Sequence, residues 1–197
     1  MDEAALIKKA QNGDVAAFNR LVLQYQEAVY NVAYRIMGEP QSAEDATQEA
    51  FISAYKSLKS FRGGSFRSWL MRIATNACYD ELRRRKRRPQ TSLDKITDEN
   101  ESFAFLRSPD DGPEIAQQRL EIMHAIEDCL RILPDEQRIT AVLGDVEGYD
   151  YQEIAGITGV SLGTVKSRMS RARAKLRDCL QGVEELLPAT YRLSTST

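Results

Sequence analysis

Apolar residues recur every three or four positions along most of the chain, the spacing of one buried stripe on an α-helix. No strand-hairpin signal interrupts them. Leu6, Ile7 and Ala10 predict a short first helix that stops at Asn12-Gly13. Asp14 is placed to cap a long second helix carrying Phe18, Leu21, Val22, Tyr25, Val29, Val32, Ala33 and Ile36, ended by Gly38-Glu39-Pro40. Ser42, with Asp45 one turn on, reads as a capping box opening a third helix to about Lys59. Gly63-Gly64 breaks the pattern. A fourth helix then carries Phe66, Trp69, Leu70, Ile73, Ala74 and Ala77 into an unbroken basic run, Arg83 to Arg88.

From Pro89 to Pro113 the period is lost, and Asp94, Asp98, Glu99, Glu101, Asp110 and Asp111 appear among three prolines. This composition reads as a flexible linker. Fully extended, it could reach about 80 Å at about 3.3 Å per residue, so the segments on either side could sit far apart. Helical spacing resumes with Ile115, Ile122, Met123, Ile126, Leu130 and Leu133, and Pro134-Asp135 starts a further helix through Ile139, Val142, Leu143 and Val146 to Gly148. Two short helical runs follow, Ile154-Ala155-Ile157 and Val165-Met169-Ala172-Leu176, joined by Thr158-Gly159-Val160 with Ser161 opening the second. The second is otherwise polar or basic, with no acidic residue between Thr164 and Arg177. A tight glycine-bearing turn before a one-signed basic helix is the pattern of a helix-turn-helix with its recognition helix. The expected fold is all-α: two small helical domains, 1–88 and 114–181, joined by the flexible linker 89–113, the second containing the helix-turn-helix. A tail, 182–197, follows Gly182.

Charge alters this picture locally. The net charge is only −2, so attraction to phosphates must come from segregated basic patches. Cys78, Cys129 and Cys179 are odd in number and widely separated, a poor pattern for a disulfide framework or a zinc site, and each suits a small core position. No apolar run approaches the ~18 residues of a membrane span, and the acidic Met1-Asp2-Glu3 is unlike a signal peptide, so the expectation is cytoplasmic.

Enzyme classes find little support. His124, the only histidine, lies on an amphipathic helix with no Ser or Cys motif beside it. Glu44, Asp45 and Glu49 lack a supporting histidine for a metal nuclease, and Gly63-Gly64 lacks the Lys-Ser/Thr sequel of a phosphate loop. No catalytic residue, metal site or cofactor is expected. Two nucleic-acid faces are expected instead. Phe61 and Trp69 with Arg62, Arg67 and Arg72 suit unstacked bases, although Trp69 shares a stripe with Leu70, Ile73 and Ala77 and reads as core. Arg83 to Arg88 suit a phosphate anchor.

These motifs carry a resemblance. Ser42 to Phe51 (SAEDATQEAF), Phe61 to Phe66 (FRGGSF) with Trp69 to Asn76, Leu133 to Arg138 (LPDEQR), Tyr151 to Ala155, and Gly163 to Leu176 occur in that order. Together they resemble an extracytoplasmic-function sigma factor of the sigma-70 family over about residues 5–181. The resemblance implies a non-catalytic specificity subunit that binds core RNA polymerase, recognises promoter DNA and is held inactive by an anti-sigma factor. It implies docking on the clamp helices of the largest polymerase subunit by Asp45, Gln48 and Glu49, with Ile52 on the same stripe. Phe61 and Asn76 match the positions that capture a flipped −10 base, with Arg62, Arg67, Arg83, Arg84 and Arg85 on the opened strand. The −35 duplex would be read from Thr164, Lys166, Ser167, Arg168, Ser170, Arg171 and Arg173. Ser170 departs from the larger residue common in relatives, and the acidic linker stands where larger sigma factors have a third domain. Two other readings compete: a free-standing helix-turn-helix regulator that binds an operator without polymerase, and a nucleic-acid enzyme such as a nuclease.

Overall fold

The computed structural model describes residues 2–87 and 113–181, and within them eight α-helices. Aspartates open the first two. The Asp2 carboxylate accepts from the Ala4 N–H at α1 (Glu3–Gln11), and that of Asp14 accepts from the Ala17 N–H (3.0 Å) at α2 (Val15–Met37). Gly38, at φ +74°, ends α2 in the left-handed conformation that a side chain would resist.

α3 (Pro40–Ser57) starts earlier than the Ser42 capping box suggested. Pro40 occupies the first turn, where its fixed φ favours the helix and its missing N–H costs nothing. Ser42 is therefore buried inside the helix; its hydroxyl donates to Glu39 (2.6 Å) and accepts from Arg85. Ala43, Ala46, Ala50 and Ala54 form the buried stripe of α3, and these small side chains let it lie close against α2 and α4. After a 3-10 turn (Leu58–Ser60), α4 (Phe66–Arg87) carries the basic run as helix. Val29, Val32, Ile36, Leu70, Met71 and Cys78 fill the core of this front half.

The back half begins at Pro113, which opens α5 (Pro113–Arg131) rather than closing the linker. The remaining linker, 89–112, and the tail from Gly182 lie outside the described residues. α6 (Asp135–Ala141) was expected to run on to Val146; it widens instead into a π turn (Val142–Val146), with the Glu147 N–H reaching back to the Val142 carbonyl (3.0 Å). The recognition helix crosses at this turn, and a Cβ on Gly144 would sit 2.3 Å from Met169 Cε. α7 (Tyr151–Thr158) and α8 (Leu162–Gln181) form the helix-turn-helix around Leu143, Ile154, Ile157, Val165 and Met169.

The structure corrects the reading of the cysteines. Cys129 of α5 and Cys179 of α8 form a disulfide with Cα atoms 5.7 Å apart. Fifty residues separate them in sequence, and only the side-by-side packing of the two helices brings them together. Cys78 is the buried core thiol expected, its pKa pushed up to about 12 by burial. The two halves touch. Glu147 accepts from Arg67 (2.9 Å) and Arg35 (3.5 Å), and Lys86 reaches Asp135 (2.7 Å).

Candidate nucleic-acid and docking interfaces

The helix-turn-helix is closed by local bonds. The Asp150 carboxylate accepts from the Gln152 and Glu153 N–H groups (both 2.8 Å), while Glu153 accepts from the Asp150 N–H (2.9 Å), a complete capping box. Gly159, at φ +70°, makes the turn, and the Ser161 hydroxyl accepts from the Thr164 N–H (3.1 Å) to start α8. Val165, Met169 and Ala172 face inward. Lys166, Ser170 and Arg171 stand exposed on the outside, and Ser167 and Thr164 are half-buried, with Ser167 donating to the Thr164 carbonyl (3.0 Å).

Two of the seven expected −35 residues behave differently. Arg168 is mostly covered and pairs with Glu136 of α6; Arg173 is held by Asp145 of the π turn. Thr164, Ser167, Arg168 and Arg171 line a cleft of about 530 Å³ whose other wall is Tyr79, Arg83 and Lys86 of α4.

The four expected docking residues do share a face. Asp45, Gln48, Glu49 and Ile52 are exposed along α3 and line one shallow concavity of about 350 Å³ with Ala77, Asp80, Glu81 and Arg84 of α4. Ile52 is 40 % exposed, one of seven large apolar side chains left exposed among the described residues. Beside it, Val15, Phe18, Val22, Phe51 and Tyr55 line an apolar groove between α2 and α3 that the sequence reading missed. The signal was available on α3: Tyr55 falls off the stripe of Ala43, Ala46, Ala50 and Ala54.

Around the Gly63-Gly64 turn, Phe61 does not project freely. Its ring packs edge-on against Phe66 (5.5 Å) and tilted on Trp69 (5.3 Å), and its carbonyl accepts from Gln11 (2.9 Å). Phe66 is buried, whereas Phe61 and Trp69 are each half-buried. Asn76 is exposed on α4, seven residues and about 10 Å of helix rise beyond Trp69, so it stands apart from Phe61. Arg62 is exposed, but Arg67 is bound to Glu147 and lies over the Tyr149 ring (5.0 Å). Arg84 pairs with Glu81 (2.7 Å) and weakly with Asp45 (3.8 Å); Arg85 pairs with Glu39 and Glu81; among the described residues Arg83 pairs only with exposed Asp80. Among the described residues, no cluster of His, Cys, Asp and Glu is placed to hold a metal, and no helix is long and apolar enough to cross a membrane.

An exposed polar α3 face beside an aromatic loop, followed by a helix-turn-helix, is the arrangement of a two-part helical DNA-binding protein. The sigma-70 region 2 model matches residues 21–88, and the sigma-70 region 4 model matches residues 123–176. The RNA polymerase sigma-H factor of Pseudomonas aeruginosa is 38 % identical over 179 residues, 89 % of this chain and 92 % of that protein. The ECF RNA polymerase sigma factor SigE of Mycolicibacterium smegmatis is 39 % identical over 171 residues, 85 % of this chain but only 64 % of its own length. The structure of CnrH in complex with the cytosolic domain of CnrY matches 92 % of this chain and 99 % of that one, at 26 % identity and TM-score 0.65. The chain belongs to the extracytoplasmic-function sigma factors of the sigma-70 family.

Proposed function

We infer that this chain joins core RNA polymerase in the cytoplasm and directs it to promoters by reading two separated DNA elements. The observation that carries this is the presence of region 2 and region 4, in order, with an exposed polar stripe on one and an outward basic helix face on the other. Asp45, Gln48, Glu49 and Ile52 dock on the clamp helices of the largest polymerase subunit: carboxylates and an amide offer acceptors, and Ile52 offers an apolar anchor. Phe61, Arg62 and Asn76 meet the opened −10 strand. The half-exposed Phe61 and Trp69 rings offer a surface on which a base stacks for about 1–3 kcal/mol. Arg83, with Arg84 and Arg85 beside it, holds backbone phosphates. Lys166, Ser167, Ser170 and Arg171, with Thr164 at the helix start, enter the −35 major groove, where hydrogen bonds to base edges discriminate sequence.

The chain acts as a specificity subunit without chemistry of its own. CnrH was solved with the cytosolic domain of CnrY, and we extend a protein partner to this chain; the family resemblance implies that it is an anti-sigma factor. The test is a gel-shift on duplexes selected from a randomised promoter pool, with and without core polymerase. Binding that requires both proteins is the expected result. Tight binding by the chain alone, unchanged by core, would overturn the reading in favour of a free-standing regulator. For the docking face, Asp45→Arg with Gln48→Ala should reduce capture of core to background while the helical circular dichroism stays intact.

A further inference from the structure

Six of the seven expected −35 residues on α8 divide by direction. At about 100° per residue, Val165, Met169, Ala172 and Leu176 centre the buried stripe, and Arg168 and Arg173 fall about 70° to either side of it. Ser167, Ser170 and Arg171 point about 130° or more away from that centre, and Lys166 about 90°. The two flanking arginines are the two with acidic partners, and both partners belong to the element beneath α8. Arg168 pairs with Glu136, near the start of α6, and borders Tyr79. Arg173 gives its Nε–H to both Asp145 oxygens (3.2 Å each) and an Nη to Asp145 Oδ1 (2.6 Å). Its other Nη donates to the Tyr151 hydroxyl (3.3 Å) at the start of α7. One guanidinium thus ties the π turn, α7 and α8.

The neighbouring residue supports the same purpose. At Gly144 a Cβ would meet Met169 Cε at 2.3 Å and Ile154 Cδ1 at 3.1 Å, so a side chain there would displace the Met169 terminus that seats α8 on the π turn. The Arg173–Asp145 pair is roughly half exposed, and such pairs add little to stability. A forked, two-point bond does fix direction, however, because the planar guanidinium matches the carboxylate in one orientation.

We propose that Arg168 and Arg173 are struts rather than DNA contacts, and that Glu136 and Asp145 are positioning residues that set the angle at which the recognition helix presents Lys166, Ser167, Ser170 and Arg171. This rests on the promoter-reading assignment above. It also divides that assignment: base and phosphate contact belongs to the outward set, orientation to the flanking set.

Two readouts test it. The first needs no DNA. In the full chain labelled with 15N-arginine, the Nε–H signal that disappears in Arg173→Lys should exchange slowly with water, and Asp145→Asn should abolish that protection. An unprotected signal in the wild-type chain overturns the strut. The second uses holoenzyme and a duplex selected by wild-type holoenzyme from a pool randomised upstream. Removing an acid near DNA ordinarily tightens binding; here Asp145→Asn should weaken it up to about fivefold. Adding Arg173→Ala should weaken it no further, the slope of affinity against salt should stay unchanged, and Asp145→Glu should restore most of the loss. Direct contact by Arg173 gives the opposite: Asp145→Asn binds tighter, and Arg173→Ala lowers the salt slope by about 0.9. If Lys166→Ala and Arg171→Ala also change nothing, promoter reading by α8 falls, while the free-chain signal still decides the strut.

Discussion

α4 and α8 carry similar densities of arginine and lysine, seven in 22 residues and six in 20, yet the fold treats them differently. On α4, Arg84 and Arg85 are tied to Glu81, Glu39 and Asp45, and Arg67 is tied to Glu147. On α8, Lys166 and Arg171 are exposed and have no acidic partner among the described residues. A cation already in an ion pair must leave it before meeting a phosphate, so equal charge does not mean equal affinity. The sharpest way to break this comparison is to remove two cations from each segment. Lys166→Ala with Arg171→Ala should cost about 1–3 kcal/mol of −35 duplex binding per lost base contact, or lower the salt slope by about 0.9 per lost phosphate contact. Arg84→Ala with Arg85→Ala should change the slope far less and instead lower the melting temperature. Equal slope changes from the two pairs would show that the ion pairs on α4 do not hold its arginines back from DNA.

That difference also marks what a reader of sequence can reach. The apolar period located the helices because burial of one stripe is a local property, repeated every turn. It placed Asp45, Gln48, Glu49 and Ile52 on one face, and the structure keeps them there. It failed where a distant element decides. The Arg67–Glu147 contact spans 80 residues and the Arg173–Asp145 contact 28, so a basic run looked uniform when its members have different partners. The π turn was missed as well; it lies where Met169 of α8 packs over Gly144. Ser42 misled because a serine followed by an acid one turn on is a helix start only when no proline has begun the helix earlier.

The cysteines extend the comparison to stability. Cys78 of the front half is alone and buried, while Cys129 and Cys179 of the back half are joined across α5 and α8. Closing a loop of this size restricts the unfolded chain and stabilises the native state by about 2–4 kcal/mol. Reduction, or Cys129→Ser, should therefore lower the unfolding transition of the back half and leave that of the front half in place, as read by hydrogen exchange along the chain. A matching drop in the protection of α2 to α4 would mean that the halves unfold as one unit.

Whether they do depends on a smaller set of contacts. Glu147 is nearly covered and takes both Arg35 and Arg67 from the front half. Hydrogen bonds to charged groups contribute about 1.5–3 kcal/mol. Glu147→Ala should weaken the contact between halves by that order, and the chain should expand toward the separation its linker permits. Small-angle scattering would show this as a larger radius of gyration, strengthened by salt. An unchanged radius would assign the contact to packing of α4 against α7 instead.

The last expected effect has a defined pH window. Glu127 of α5 is buried, and its pKa is raised from 4.5 to about 7, first by burial and to a lesser degree by Asp128, against the opposing pull of Arg131, Arg35 and a hydrogen bond from Tyr34. An acid whose folded pKa lies above its unfolded value binds its proton more tightly when folded. Its contribution to stability is therefore greatest below 4.5 and declines as pH rises through about 7. Thermal melts of wild-type protein should drift downward across that window. Glu127→Gln, which keeps the shape and removes the charge, should match wild type at the acidic end and exceed it at the alkaline end. The reverse, wild type gaining stability with rising pH past a variant that stays level, would show that the ionised carboxylate is held by Arg131, 3.9 Å away, strongly enough to outweigh its burial. Glu127 would then join Glu147 as an acid that ties arginines.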